Sequence, residues 1–449
     1  MINDHFITLV MCIIALVGAL MTENFQLMPV SLLGLTFLVF SIERVCIGRS
    51  LSFTETTLPS FFLLSYILIL VVPMTVLFNS IESDAKNLYF SALLVTLIVF
   101  PLGVLAANLI SGHKHFSGFN YLRTISRDRS FELSYWLFLI VAFVIIILFF
   151  IFSQHVQLID LIMQNSDNDV ESQRFAQAEL PKSLQYFFEI ARRILLPMCV
   201  LYAYFMRHLY KGKWNLLFYA TFIVALFVSL LTLDRSPVLG LFAMLGLAYF
   251  VANRRTGNLR WSSLAIVIVI ALLLSGVVSV FQYQTESIDL GQVIDIAWYV
   301  LTYRIFESPI QMALYVFETY NYDTYFLNGD YVRLFSILPG IEYSESMSNV
   351  APPFSVGPVT FVGDLWRNWG WIGVVSGAFS FGFIFQVIQI MIFRKLTVAR
   401  ATVYVLLLLG SLTILHGKAL GVMTLSVIFL GAILGVLILQ IENRCLFGI

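Results

Sequence analysis

Charged residues are scarce in this chain of 449 residues: 12% are Asp, Glu, Lys or Arg, whereas 59% are hydrophobic. Together with a mean hydropathy of +0.90, this composition excludes an ordinary soluble protein. The 26 basic and 26 acidic residues cancel, so the overall charge by itself indicates no partner. We expect no nucleic-acid ligand.

Cysteine and histidine are also rare. The four cysteines (Cys12, Cys46, Cys199 and Cys445) fall in apolar stretches or at their cytoplasmic margins, so the sequence predicts neither a disulfide framework nor a zinc site. Among the histidines, His155 and His416 alone fall near the predicted outer face, and we expect no metal and no cofactor. The chain lacks a phosphate-binding glycine loop, and no basic residues precede its first apolar stretch. We interpret that stretch as an uncleaved span.

Long apolar runs are what the chain has in abundance. A helix needs about 20 apolar residues to cross a bilayer core. The pattern therefore predicts an all-α, polytopic membrane protein, a single domain over residues 1–449 with both termini in the cytoplasm. About twelve spans are predicted, at residues 6–22, 25–42, 57–78, 88–110, 132–153, 185–206, 215–233, 237–252, 262–281, 369–393, 401–416 and 419–440. Two long outer segments, residues 154–184 and 282–358, interrupt the otherwise short connections.

Basic residues sort onto alternate sides of these spans. Most occupy the predicted cytoplasmic loops, as the positive-inside rule requires. Ten fall on the opposite side: Lys86, Arg174, Lys182, Arg192, Arg193, Arg235, Arg304, Arg333, Arg367 and Lys418. A cationic surface that is partly embedded in the membrane is costly to maintain, so this distribution predicts an anionic ligand at the outer face.

Two candidate binding positions come from the first half of this set. Ser236 followed by Pro237 is typical of a helix start, which would place free backbone N–H groups beside Arg235 and form an anion site. The alternative is that Asp234 neutralises Arg235. Arg192 and Arg193 lie inside an apolar stretch, and one or both are predicted to face a polar cavity, or else to reach the headgroups with Glu189 as partner.

The later candidates combine cations with possible acid–base groups. Arg304 and Glu307 share one helix face if their stretch is helical, and Arg333 could reach the same cavity. Asp364 could act as a general base, or it could pair with Arg367. His416 and Lys418 belong to a tight turn and are candidate anion ligands or acid–base groups. The nearby tryptophans Trp366, Trp369 and Trp371 are interpreted as interfacial anchors rather than a sugar platform.

Together these residues predict a pocket for a lipid-linked sugar pyrophosphate. The acyl chain would lie in the bilayer, the diphosphate at the arginines and the glycan in the outer segments. Transfer of the sugar requires stabilisation of the leaving pyrophosphate and a base for the attacking hydroxyl. Arginine can stabilise the pyrophosphate through bidentate hydrogen bonds.

The order of these elements resembles the Wzy-type polymerases of O-antigen and related oligosaccharide repeat units, in particular those of enterobacterial common antigen. The similarity lies in Leu-Asp-Arg235-Ser-Pro before a span, Leu-Thr-Tyr-Arg304-Ile-Phe-Glu-Ser-Pro, Val-Arg333-Leu-Phe, Gly363-Asp364 and His416-Gly-Lys418. Gly246 follows Arg235 at the spacing described for some members of that family. Lys418 is a departure, because relatives carry arginine in that turn.

The resemblance implies a metal-independent, inverting glycosyltransferase of the GT-C type in the bacterial inner membrane, with its active site on the periplasmic face. Donor and acceptor would both be undecaprenyl-pyrophosphate-linked oligosaccharides, and a chain-length regulator would be a partner in the same membrane. On this reading Arg235, Arg304 and Arg333 bind pyrophosphate. The base is His416, Glu307 or Asp364, in falling order of preference, and Arg192, Arg193, Arg367 and Lys418 complete the cationic set.

Two other functions fit parts of the same pattern. An O-antigen ligase uses the same donor, but residues 282–358 hold no histidine of the kind its outer loop uses. A flippase or other transporter of lipid-linked oligosaccharide would explain the number of spans. It would leave the long outer segments without a role and would place charges at the bilayer midplane instead of near one face.

Overall fold

The computed structural model describes residues 57–78, 82–111, 129–153, 182–210, 212–231, 235–253, 307–320, 360–393 and 397–416, with single residues at 291, 295, 299, 303, 322 and 326. In chain order its helices are α1 (Leu58–Tyr66), α2 (Val72–Leu77), α3 (Lys86–Ile110), α4 (Arg129–Phe152), α5 (Lys182–Ile190), α6 (Leu196–Leu209), α7 (Lys213–Leu230), α8 (Arg235–Asn253), α9 (Ser308–Thr319), α10 (Phe361–Phe393) and α11 (Val398–His416). Within these ranges the chain is almost entirely helical and forms no β-strand.

Five of the described helices are long and apolar enough to cross a membrane: Lys86–Ile110, Glu132–Phe152, Lys213–Leu230, Phe361–Ile392 and Val398–Leu415. A shorter apolar stretch, Pro237–Ala252, belongs to α8. The predicted helical membrane character is therefore confirmed. The predicted spans at 6–22, 25–42, 262–281 and 419–440 lie outside the described residues.

The helices group into two compact units. The described part of the first unit consists of α1, α2, α3, α9, α10 and the last residues of α11. The described part of the second consists of α4 to α8 and the beginning of α11. Each unit has its own aromatic-rich core.

Close contact between α3 and α10 organises the first unit. A Cβ atom on Gly103 would lie 2.1 Å from the backbone oxygen of Phe379, and one on Gly382 would lie 2.1 Å from that of Phe100. Small residues at such crossings let helix backbones approach each other, which is how helices associate in membranes. The amide of Gln386 donates a hydrogen bond of 2.7 Å to Asn108 and adds a polar link between the same two helices.

An aromatic cluster joins α1 to this pair. The ring of Phe62 stacks on Phe100 at 4.8 Å and meets Phe361 and Phe385 edge-on at 5.5 and 5.3 Å. Farther along α1, the hydroxyl of Tyr66 donates a hydrogen bond of 3.1 Å to the backbone oxygen of Leu93. All five side chains are buried or nearly so, as burial of aromatic area requires.

Helix α10 reverses direction instead of crossing in one piece. Trp369 (φ −145°, ψ 15°) and Gly370 (φ 57°, ψ −138°) are not helical. The break divides α10 into α10a (residues 361–368) and α10b (residues 371–393). The rings of Phe361 and Phe381 are 5.1 Å apart, whereas an unbroken helix would separate these residues by about 30 Å. Helix α10a therefore folds back along α10b.

The hairpin formed by α10a and α10b packs through glycines. A Cβ atom on Gly373 would lie 2.3 Å from the backbone oxygen of Leu365, and one on Gly377 would lie 2.5 Å from its side chain. At the start of α10a, the Thr360 hydroxyl accepts a hydrogen bond of 3.1 Å from the Gly363 N–H and caps the helix. The predicted span 369–393 therefore begins at a sharp turn, and about ten residues of chain before it also belong to the bundle.

Both units contain a helix interrupted by a five-residue π-helical segment. Ile67–Val71 joins α1 to α2, and Ala191–Leu195 joins α5 to α6. In each case a nine-residue helix comes before, and proline is the second residue of the helix after: Pro73 in α2 and Pro197 in α6. Proline has no N–H, so it cannot donate the helical hydrogen bond to the carbonyl four residues earlier. In both places that carbonyl lies in the π-helical segment, where hydrogen bonds join residues five apart instead of four.

In the second unit, α6 is the central helix. Its residues 196–206 are all buried, and the ring of Tyr202 stacks on Tyr135 of α4 at 5.5 Å and meets Trp214 of α7 edge-on. The Phe222 and Phe242 rings join α7 to α8 at 6.0 Å. By contrast α4 exposes apolar side chains along much of its length, which is typical of a helix that faces lipid.

Candidate functional site

The first cluster of candidate residues lies on α10a. The Arg367 guanidinium donates two hydrogen bonds to Oδ1 of Asp364, of 2.9 Å from Nε and 2.6 Å from Nη2. The side chains are 5% and 0% exposed, so the ion pair lies out of contact with water. The Asn368 amide donates a further hydrogen bond of 2.7 Å to the backbone oxygen of Asp364. The pairing that the sequence offered as the alternative for Asp364 is thus present.

Aromatic side chains surround Trp366, which lies between Asp364 and Arg367 in the chain, near the turn between α10a and α10b. Trp366 stacks on Phe317 of α9 at 4.4 Å, and its indole N–H donates a hydrogen bond of 2.7 Å to the backbone oxygen of Tyr320. Tyr322 and Trp371 meet Trp366 edge-on at 6.3 and 5.5 Å. The indole of Trp366 therefore fixes α10a against the end of α9.

Glu307 lies at the other end of α9. Its Oε1 accepts a hydrogen bond of 2.9 Å from Gln311, one turn later, and Gln311 is 3.5 Å from the hydroxyl of Tyr303. Glu307 and Tyr320 are separated by the length of α9, which is about 20 Å. Glu307 and the Asp364–Arg367 pair thus belong to the same unit, but Glu307 lies at the first turn of α9, whereas α10a contacts the other end of α9 through Trp366.

A second cationic cluster occupies the π-helical segment of the second unit. Arg192 and Arg193 both pair with Glu189, one turn earlier. The Arg192 side chain is 1% exposed and lies over the Phe188 ring at 5.4 Å, whereas the Arg193 side chain is 39% exposed. One arginine is therefore inside the unit and the other at its surface, with a shared carboxylate. Glu189 is the partner that the sequence suggested for these arginines.

The remaining predicted residues stay predictions. Arg235 is the first residue of α8, so that helix begins two residues earlier than the Ser236-Pro237 signal predicts. His416 is the last residue of α11. Arg304, Arg333 and Lys418 lie outside the described residues. Among the residues that are described, no three His, Cys, Asp or Glu side chains are placed to share a metal ion.

The sequence did not predict the aromatic contacts of Trp366. Phe317, Tyr322 and Phe326 come from a segment some forty to fifty residues before the turn in the chain, and no local pattern connects them to it. The only local signal for the turn within α10 is the dipeptide Trp369-Gly370, because glycine favours a change of backbone direction.

Comparison with protein-family models, with curated proteins and with solved structures gives no match to this chain.

Proposed function

We propose that this chain is an integral membrane glycosyltransferase that polymerises lipid-linked oligosaccharide repeat units. The growing glycan would leave one undecaprenyl pyrophosphate and join the non-reducing end of a new lipid-linked repeat unit. The observation that carries the proposal is that each compact unit buries an arginine from the set predicted at the outer face. Arg367 and Arg192 are both nearly inaccessible and both are charge-paired. Arg192 lies in the π-helical segment, and Arg367 lies two residues before the break at Trp369. Ionisable groups inside membrane helices are typical of substrate sites.

The proposed architecture has about twelve spans, a GT-C-like arrangement and both termini in the cytoplasm of a bacterial inner-membrane protein. Residues 154–184 and 282–358 would lie in the periplasm with the active site. Just before the start of α3, the Ser83 hydroxyl donates an exposed hydrogen bond of 2.6 Å to Glu318 of α9. A polar surface at this end fits a membrane boundary.

In the proposed reaction, the hydroxyl at the non-reducing end of the acceptor attacks the anomeric carbon of the donor. The bond from that carbon to the pyrophosphate oxygen breaks, the configuration inverts, and the leaving pyrophosphate takes the electron pair. A base of the protein takes the hydroxyl proton. Arg235, Arg304 and Arg333 would hold the pyrophosphates, supported by Arg192, Arg193, Arg367 and Lys418.

The geometry around Asp364 bears on the choice of base. Its carboxylate accepts two hydrogen bonds from Arg367 and is fully buried, which favours a role in orienting that arginine. His416 and Glu307 are then the preferred bases, with Asp364 third. No metal enters the proposed reaction, because arginines would supply the charge stabilisation.

The test uses purified protein, a synthetic undecaprenyl-pyrophosphate repeat unit and EDTA, with the products separated on a gel. We expect a ladder of oligomers from the wild type and none from Arg235→Ala or Arg304→Ala. Lys213→Ala is the matched control, since this exposed lysine pairs with Glu132 on the predicted cytoplasmic side, and it should keep the ladder. Normal ladders from both arginine variants would contradict the assignment of the site.

One observation favours a second candidate, transport of the same lipid-linked substrate. Helix α10 is interrupted, and interrupted helices form the substrate sites of many transporters. Transport predicts no ladder in the same assay, but movement of the lipid-linked substrate across the bilayer of a liposome that contains the protein.

A further inference from the structure

Tyr322 is a large aromatic residue held in an exposed position. Its side chain belongs to the first unit and the residue is 67% exposed. The ring meets Phe326 edge-on at 5.1 Å and Trp366 at 6.3 Å. Phe326 and Trp371 are half-buried beside it. We call Tyr322, Phe326 and Trp371 the aromatic patch, with Trp366 buried beneath it.

The turn of the α10 hairpin keeps the aromatic patch in one arrangement. The backbone N–H of Trp371 donates a long hydrogen bond of 3.4 Å to the hydroxyl of Tyr322. Gly370 adopts a positive φ of 57°, and a Cβ atom there would lie 2.9 Å from that hydroxyl and 2.8 Å from the Phe326 ring. A glycine is therefore needed both for the backbone conformation and for the approach of the two rings.

An interfacial anchor does not require this arrangement. Tyrosine and tryptophan at a membrane boundary are selected by depth, and a mobile ring serves as well as a fixed one. Here the helix breaks, a glycine takes a positive φ, and a backbone N–H points at the exposed tyrosine. An exposed ring that is fixed in advance loses little side-chain entropy when it binds a ligand.

We propose that the aromatic patch is a subsite for a pyranose ring of the glycan, an inference that rests on the proposed function. One face of a pyranose carries C–H groups, whose positive edge is attracted to the negative face of an aromatic ring. Sugar hydroxyls can exchange hydrogen bonds with the phenol of Tyr322. Trp366, which packs beneath the patch, belongs to the same short helix α10a as Arg367, the arginine that is proposed to support a pyrophosphate.

The test is a binding titration of the full chain in detergent, followed by the intrinsic tryptophan fluorescence, to which Trp366 and Trp371 at the patch contribute among the seven tryptophans. The probe is the oligosaccharide released by mild acid from the lipid-linked intermediates of the producing cell. We expect saturable binding to the wild type and about tenfold weaker binding to Tyr322→Leu, the factor expected for the loss of one aromatic contact. Tyr322→Phe keeps the ring and should bind within about twofold of the wild type.

The matched control is Tyr219→Leu, because Tyr219 on α7 is 57% exposed and lies in the other unit. It should bind the oligosaccharide as the wild type does. Equal affinities for the wild type and Tyr322→Leu would overturn the subsite, as would the absence of binding to the wild type. If Tyr322→Leu does not purify as a monodisperse protein, Trp371→Leu replaces it with the same expected loss, and binding is then measured by isothermal titration calorimetry because Trp371 contributes to the fluorescence.

The gel assay distinguishes failure of the subsite from failure of the proposed function. If oligosaccharide binding depends on Tyr322 but the lipid-linked substrate gives no ladder, the subsite is supported and the polymerase function is rejected. If the free oligosaccharide does not bind and Tyr322→Leu gives the same ladder as the wild type, the polymerase function is supported and the subsite is rejected.

Discussion

Removing either member of the Asp364–Arg367 ion pair should destabilise the first unit strongly. Asp364→Asn leaves the Arg367 guanidinium without its carboxylate in a site where the side chains are 0% and 5% exposed. Breaking a buried pair in this way typically costs about 3–5 kcal/mol, because the remaining charge stays buried. We expect Arg367→Gln to have a cost of similar size.

Replacing both members should be much less damaging than replacing one. Asp364→Leu combined with Arg367→Met removes both desolvated charges, and such replacements range from neutral to stabilising by about 1–4 kcal/mol. The single changes Asp364→Leu and Arg367→Met and the double change form a cycle, whose coupling free energy should amount to several kcal/mol. The structure supplies an internal reference in the exposed Lys213–Glu132 pair, where Lys213→Met should cost less than about 1 kcal/mol.

The assay is equilibrium unfolding of the purified protein by SDS, followed by tryptophan fluorescence, with retention of the folded fraction checked by size-exclusion chromatography. Two results would refute the reasoning. One is a cost for Asp364→Asn no greater than that for Lys213→Met. The other is a double variant as unstable as the sum of its two single changes, because the pair would then contribute nothing as a pair.

Two further predictions follow from the packing of each unit. Gly103→Ala should destabilise the protein by about 1–3 kcal/mol, because the new Cβ would meet the backbone oxygen of Phe379, whereas Gly240→Ala should not, because its new Cβ would make only an ordinary contact of 3.9 Å with the Leu409 side chain; thermal unfolding in detergent compares them. Glu189→Gln should lower the midpoint of thermal unfolding by removing a carboxylate from buried Arg192, and inorganic pyrophosphate should restore part of the loss.

The controls for these two predictions come from the same chain. If Gly103→Ala and Gly240→Ala unfold alike, the close approach of α3 and α10 is wrong. Glu318→Gln removes an exposed carboxylate that accepts a hydrogen bond from Ser83, so its unfolding midpoint should scarcely change. Pyrophosphate that stabilises Glu318→Gln and Glu189→Gln equally would contradict an anion site at Arg192.

The sequence predicted the long helices well because the length of an apolar run decides whether it can span a membrane. The predicted ranges 88–110, 132–153 and 215–233 correspond to α3, α4 and α7 with differences of about three residues or fewer at each end. The reversal within α10 was missed. A hydropathy window adds residues without regard to direction, and the fold-back depends on contacts of Leu365 with Gly373 and Gly377.

In the candidate site, too, contacts between residues close in sequence were predictable, whereas contacts between distant residues were not. The ion pairs of Glu189 and of Asp364 join residues three or four apart, so helical spacing alone was enough to propose them. The aromatic patch joins Tyr322 to Trp371, which are 49 residues apart. No short-range pattern contains that contact.

The two π-helical segments give the chain a comparison within itself. Counted back from the shared proline, Ser65, Leu68 and Ile69 in the first unit stand where Glu189, Arg192 and Arg193 stand in the second. The segment in the first unit, which has no charge at these positions, has a nine-residue helix followed by a five-residue π-helical segment, as the segment in the second unit does. Charge is therefore not needed to shape this backbone. Because the arginines and their carboxylate do not create the irregular helix, the reason for carrying them inside an apolar protein lies in something other than the fold.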